Sequence, residues 1–111
     1  MWFPSTPNLK AGQVEEAIKS SSVIVIHAWA SWNQSDRAMD KILSDLAPLF
    51  SVDIKFYSMD IDWAENFEFL HQHKVVNVPA LVCFKNGQHV ETVIGLRTKQ
   101  VLFDTIKAVS K

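Results

Sequence analysis

Hydrophobic and polar positions along this chain change period several times, and each change marks an element. Between Ala11 and Ser20, Val14, Ala17 and Ile18 recur at helical spacing with Glu15, Glu16 and Lys19 opposite. That predicts an amphipathic helix, broken by Ser20-Ser21-Ser22. Val23 to Ala30 is apolar in both phases and rich in β-branched residues, the pattern of a strand buried on both faces. Met39, Ile42, Leu43, Leu46, Leu49 and Phe50 then fall on one helical stripe. Ile54 to Met59 predicts a second strand, with Ile54 and Phe56 on one face and Tyr57 and Met59 on the other. Asp62 and Glu65 have the spacing of a capping box ahead of a helix carrying Trp63, Phe67 and Leu70. Val78-Pro79 stops that region, and Ala80 to Phe84 reads as a third strand. Asn86-Gly87, within Lys85 to Gln88, favours a two-residue hairpin turn into a fourth strand, His89 to Ile94. Gly95 ends it, and Thr98 can cap a last helix bearing Val101, Leu102, Ile106 and Val109.

The order is α-β-α-β-α-β-β-α. Strand, helix, strand implies a right-handed parallel crossover, and the terminal hairpin adds an antiparallel pair. The economical solution is an α/β domain with one mixed sheet and helices on both faces.

At 111 residues, 1–111 reads as a single domain. Apolar residues make 48% and charged residues 21%, which disfavours disorder. A net charge of −1 argues against a nucleic-acid binder. The longest apolar run is too short to span a membrane, and residues 1–7 show no basic segment leading into an apolar one. The expectation is therefore no nucleic acid, no membrane, and a reducing compartment such as the cytoplasm.

One cysteine, Cys83, changes the picture most. It excludes a disulfide framework, a multi-cysteine zinc site and a two-cysteine redox couple within the chain. Mid-strand between Val82 and Phe84, it reads as a core thiol; facing solvent, it could form a mixed disulfide. His71 and His73, two apart on a helix, diverge by about 200° and do not converge on a metal. Asp60 and Asp62 supply too few oxygens for calcium. No metal and no cofactor is expected. Ser35 has no assured base, so a hydrolase is disfavoured.

The stretch Trp29-Ala30-Ser31-Trp32-Asn33-Gln34-Ser35-Asp36, on a buried strand and before a long helix, resembles the Trp-Ala-x-Trp-Cys-Gly-Pro-Cys signature of thioredoxins. Val78-Pro79 stands where that family has its cis-proline loop. Phe84-Lys85-Asn86-Gly87 and Val93-Ile94-Gly95 resemble its terminal hairpin. The resemblance implies a thioredoxin fold with four or five strands and a groove formed by Trp32, Asn33, Gln34, Ser35, Asp36, Val78, Pro79 and Gly95. His27 stands where ordinary thioredoxins carry a buried aspartate, and the resemblance puts it beneath Asp36, its expected partner, the alternative being a histidine hydrogen-bonded to backbone. With Trp29-Ala30-Ser31-Trp32, Met39-Asp40, Glu65-Asn66 and Val76-Asn77-Val78-Pro79, this is similar to the thioredoxin-like domain of multidomain monothiol glutaredoxins, the PICOT type.

Asn33 and Asp36 hold the two thiol positions of the signature, and neither can exchange a disulfide. The expectation is a redox-inactive member, not an enzyme. One reading makes the old site a helix cap, with Asn33 and Asp36 as a capping box. The other has its polar groups contact a partner. The function expected is a protein-binding or targeting module acting through the groove. The PICOT likeness implies a role linked to monothiol glutaredoxin, iron–sulfur or redox homeostasis, in the cytoplasm and also the nucleus. Any cluster, with glutathione, would belong to a glutaredoxin domain. The alternatives are a one-thiol redox protein using Cys83 and a structural subunit of a larger complex.

Overall fold

A computed structural model describes residues 2–111; Met1, where the reading of residues 1–7 begins, lies outside them. Strand β1 (Val23–Trp29) forms the centre of the sheet and is buried along its whole length. It runs parallel to β2 (Ile54–Asp60) and antiparallel to β3 (Ala80–Lys85), and β4 (Gln88–Ile94) pairs antiparallel on the far side of β3. The order is β2-β1-β3-β4. The continuous apolar run predicted this central place, because only a strand covered on both faces can be apolar in both phases.

Each face has its own core. On one, Ile24, Ile26, Ala28, Met59, Val82 and Phe84 meet Val14 and Ala17 of α1 (Ala11–Lys19) and Leu70 of α3 (Phe67–Gln72). On the other, Val23, Val25, Leu81 and Cys83 meet Met39, Leu43 and Leu46 of α2 (Ser35–Leu46) with Leu102 and Ile106 of α4 (Lys99–Ser110). Each such leucine or isoleucine contributes roughly 1.5–3 kcal/mol by leaving water, so both layers are needed to hold a chain of this size. The face of β2 splits as its alternation predicts: Ile54 and Phe56 go to the second core, Tyr57 and Met59 to the first.

The structure bears out the mixed sheet, with four strands among the described residues. Among the described residues the chain before α1 makes one parallel bridge, Asn8 with Ser58, because Pro7 lacks the N–H that would extend the pairing. The structure corrects two expectations. The stripe to Phe50 is not one helix: α2 stops at Leu46 and Ala47–Leu49 tightens into a 3-10 turn, since Pro48 cannot donate into the ladder. Asp62 and Glu65 form no capping box. Ala64–Asn66 is a 3-10 turn, and Asp62 Oδ2 accepts instead from Trp32 Nε1 at 3.0 Å.

The hairpin forms as its Asn-Gly pair predicts, with φ of 51° at Asn86 and 80° at Gly87, the two positive values of a type I′ turn. Thr98 caps α4, its Oγ1 accepting from Val101 N at 3.2 Å. Among the described residues no helix is long and apolar enough to cross a membrane.

Candidate functional site

The loop from β1 into α2 carries the candidate site. Odd residues of β1 face α2, so His27 joins Val23 and Val25 on that side and is fully buried there. Trp29 ends the strand, its ring buried and met edge-on by Trp2 at 5.6 Å and Phe3 at 6.0 Å between centroids. The loop then folds on itself: Asn33 N–H donates to Ala30 O, and Asp36 N–H to Asn33 O, both at 3.1 Å. Gln34, exposed, is the N-cap residue of α2 and enters the turn through its carbonyl, which accepts from Arg37 N–H at 3.0 Å.

Asp36 is buried beneath this turn. Its Oδ1 lies 2.7 Å from His27 Nε2, and its Oδ2 accepts from Ala30 N–H at 3.1 Å. The pair expected from the resemblance is therefore in contact. A carboxylate in the first turn also meets the positive end of the α2 dipole. Among the described residues Asp36 is the hydrogen-bond partner of the His27 ring, through Nε2.

The reciprocal capping box of Asn33 and Asp36 is corrected, since Asp36 turns inward to His27. Asn33 bridges instead. Its Oδ1 accepts from Ser35 N–H at 3.1 Å, and its Nδ2 donates to Val78 O at 2.9 Å. This brings the first loop against Val78-Pro79, whose peptide is cis. Val78 N–H donates to Asn77 Oδ1 at 2.9 Å, and Pro79 O accepts from Gly95 N–H at 2.7 Å. Val78 and Pro79 are buried, while Asn33, Ser35 and Gly95 are half-buried. Asp36 and His27 thus lie below the groove rather than in it.

Trp32 stands out from the loop, 66% exposed, with its indole N–H held by Asp62. Beside it opens a cavity of about 370 Å³ lined by Trp32, Ile61, Phe67, Leu70, Val76 and Val78 among others. Phe67 is 56% and Val76 84% exposed on its rim. Sequence reasoning missed both. Phe67 read as the buried side of a helix, but α3 has only six residues and buries Leu70 alone. It also missed Asn66, fully buried, whose side chain accepts from Ala11 N–H and donates to Asp60 O, each at 2.8 Å. Asn66 stands at the N-cap of α3 but its side chain makes no cap bond there, so local pattern gave no signal of these long-range contacts.

Away from the loop, Cys83 is buried in the second core, and burial, with Glu91 adding to it, pushes its thiol up to about 12. His73 Nδ1 donates to Phe69 O at 2.7 Å, and His71 is exposed. Among the described residues no three or more His, Cys, Asp or Glu side chains gather as metal ligands.

Residues 5–108 match the family model for thioredoxin. Thioredoxin 1 of Synechococcus elongatus is 29% identical over 92 residues, 83% of this chain and 84% of that protein. A thioredoxin of Rickettsia bellii is also 29% identical over 92 residues, 83% and 86% of the two chains. The oxidized mitochondrial thioredoxin 3 of Saccharomyces cerevisiae superposes with a TM-score of 0.82 at 26% identity, over 94% of this chain and 95% of that one. These matches correct one expectation. That the chain is not an enzyme was inferred from Asn33 and Asp36 at the thiol positions; the relatives are named thioredoxins, and this kinship points to redox activity. They also bear out the thioredoxin fold.

Proposed function

The chain belongs to the thioredoxin family, and on that premise we propose that it holds a segment of a protein partner in the groove beside Trp32. Redox chemistry between proteins presupposes such a binding step. The observation that carries the reading is the ring of exposed apolar side chains, Trp32, Phe67 and Val76, around one cavity next to the loop. Single exposed apolar residues are ordinary; three around one concavity mark an interaction site. Trp32 is the anchor, because its indole is fixed by Asp62 and loses little freedom on binding.

A narrower reading takes the partner to be a glutaredoxin domain in an iron–sulfur or redox assembly of the cytoplasm or nucleus. It rests on the PICOT-type residues, with His27 set against Asp36 as their most particular feature.

Titration of the isotope-labelled chain with a purified monothiol glutaredoxin domain tests both. The reading expects amide shifts confined to the neighbourhood of Trp32, Phe67 and Val76, and loss of binding in Trp32→Ala. Shifts centred elsewhere overturn the groove. No shifts at all remove the glutaredoxin partner.

A further inference from the structure

The floor of the groove beside Trp32 has an unusual feature at Val78. This residue lies outside β3, which begins at Ala80, so no sheet neighbour uses its backbone groups. Its N–H and C=O are nevertheless both occupied, each by a side-chain amide: Asn77 Oδ1 accepts the one at 2.9 Å, and Asn33 Nδ2 donates to the other at 2.9 Å. The N–H and C=O of a single residue are the pair that an added antiparallel strand exchanges with its neighbour. Asn77 takes the single N–H donor, and Asn33 takes one of the two lone pairs of the C=O.

Taking the groove as the binding face, the reading on which this rests, we propose that Asn33 and Asn77 form a side-chain latch over Val78. It keeps the groove closed to backbone pairing until a partner displaces them. Asn77 is exposed and Asn33 half-buried, so both can swing without moving the backbone. Each bond is a neutral amide contact, among the weaker hydrogen bonds of a fold, and an incoming peptide amide and carbonyl replace it in kind. Binding therefore has an order. An apolar side chain of an extended polypeptide first enters at Trp32, Phe67 and Val76, where nothing is blocked. Its backbone then competes for Val78. Release is not purely local, because Asn33 Oδ1 also accepts from Ser35 N–H at the start of α2. The latch discriminates against segments with a weak apolar anchor, which reach Val78 without having gained enough to open it.

The test uses a fluorescein-labelled peptide of alternating valine and threonine flanked by lysines, and a copy N-methylated along its pairing edge. Binding is measured to the wild type and to Asn33→Ala/Asn77→Ala. The double variant is expected to bind the first peptide about tenfold more tightly, the effect of removing two weak competing bonds, and to lose that gain with the methylated copy. Equal affinities of the two proteins, or a gain that survives methylation, overturn the latch. Trp32→Ala separates the two ideas. If it weakens the peptide while the asparagine variants change nothing, the groove stands and the latch falls; if it changes nothing, both fall. A folding-independent check is hydrogen exchange at the Val78 amide, expected at least tenfold faster in Asn77→Ala. Unchanged exchange there also overturns the proposal.

Discussion

Cys83 is a thiol whose chemistry is set by its surroundings. Among Val25, Leu81 and Leu102 its thiolate has no solvation, and the thiol is pushed up to about 12. At pH 8 the ionised fraction is then on the order of 10⁻⁴, against a substantial fraction for a free cysteine. Iodoacetamide at pH 8 is expected to label the native chain at the rate of its unfolding, and the urea-unfolded chain at the rate of a free thiol; fast native labelling would contradict the burial. The same shift has a sign in stability. A thiol raised in the folded state stabilises fully below its ordinary value near 9, and that contribution is lost as pH climbs toward about 12. Asp36 is the opposite kind of residue, a buried acid with every partner in place. Asp36→Ala leaves His27 and the Ala30 N–H without their acceptor, and the expected loss in urea denaturation is about 3–5 kcal/mol. Asp36→Asn, which keeps an acceptor oxygen, should cost less. A loss below about 1 kcal/mol for the alanine variant would show that the pair contributes nothing to the fold.

At the scale of elements, what the sequence made legible is what periodicity reports. The all-apolar run put β1 in the centre, the alternation of β2 assigned both its faces, and Asn86-Gly87 placed the hairpin. Legibility failed where a proline or a long-range polar contact overrode local pattern. Pro48 cut the α2 stripe, and Asp62 was drawn from its expected cap by an indole thirty residues away. The site shows the same division. The resemblance brought His27 and Asp36 together correctly, because strand parity and the first turn of a helix fix their directions. Asn33 crossing to Val78, forty-five residues away, has no local signature. Asn66 is the strongest case: one side chain ties the start of α1 to the end of β2 and the start of α3. Asn66→Ala removes two bonds and leaves a partly buried N–H and a partly buried C=O unpaired, a loss of about 2 kcal/mol by thermal or urea unfolding. A neutral effect would mean that α1 and β2 are coupled through apolar packing alone.

For the molecule as a whole, two cores clamp a four-stranded sheet and leave its polar machinery at one end. There the first loop, Val78-Pro79 and Gly95 are drawn together by Asn33 and by the bond from Gly95 to Pro79. The buried pair His27 and Asp36 holds this end from below, and the exposed trio Trp32, Phe67 and Val76 faces outward above it. Kinship names the family, and the residues of this chain supply its binding face. That face is the central claim, and site-specific crosslinking tests it most directly. A photoreactive side chain is placed at Val76, on the rim, or at Val52, 91% exposed but outside the cavity lining. Each protein is irradiated in cell extract, and the adducts are identified by mass spectrometry. The account predicts a discrete protein adduct at position 76 that disappears with Trp32→Ala and is absent at position 52. Equal adducts at both positions, or an adduct at 76 indifferent to Trp32, would contradict it.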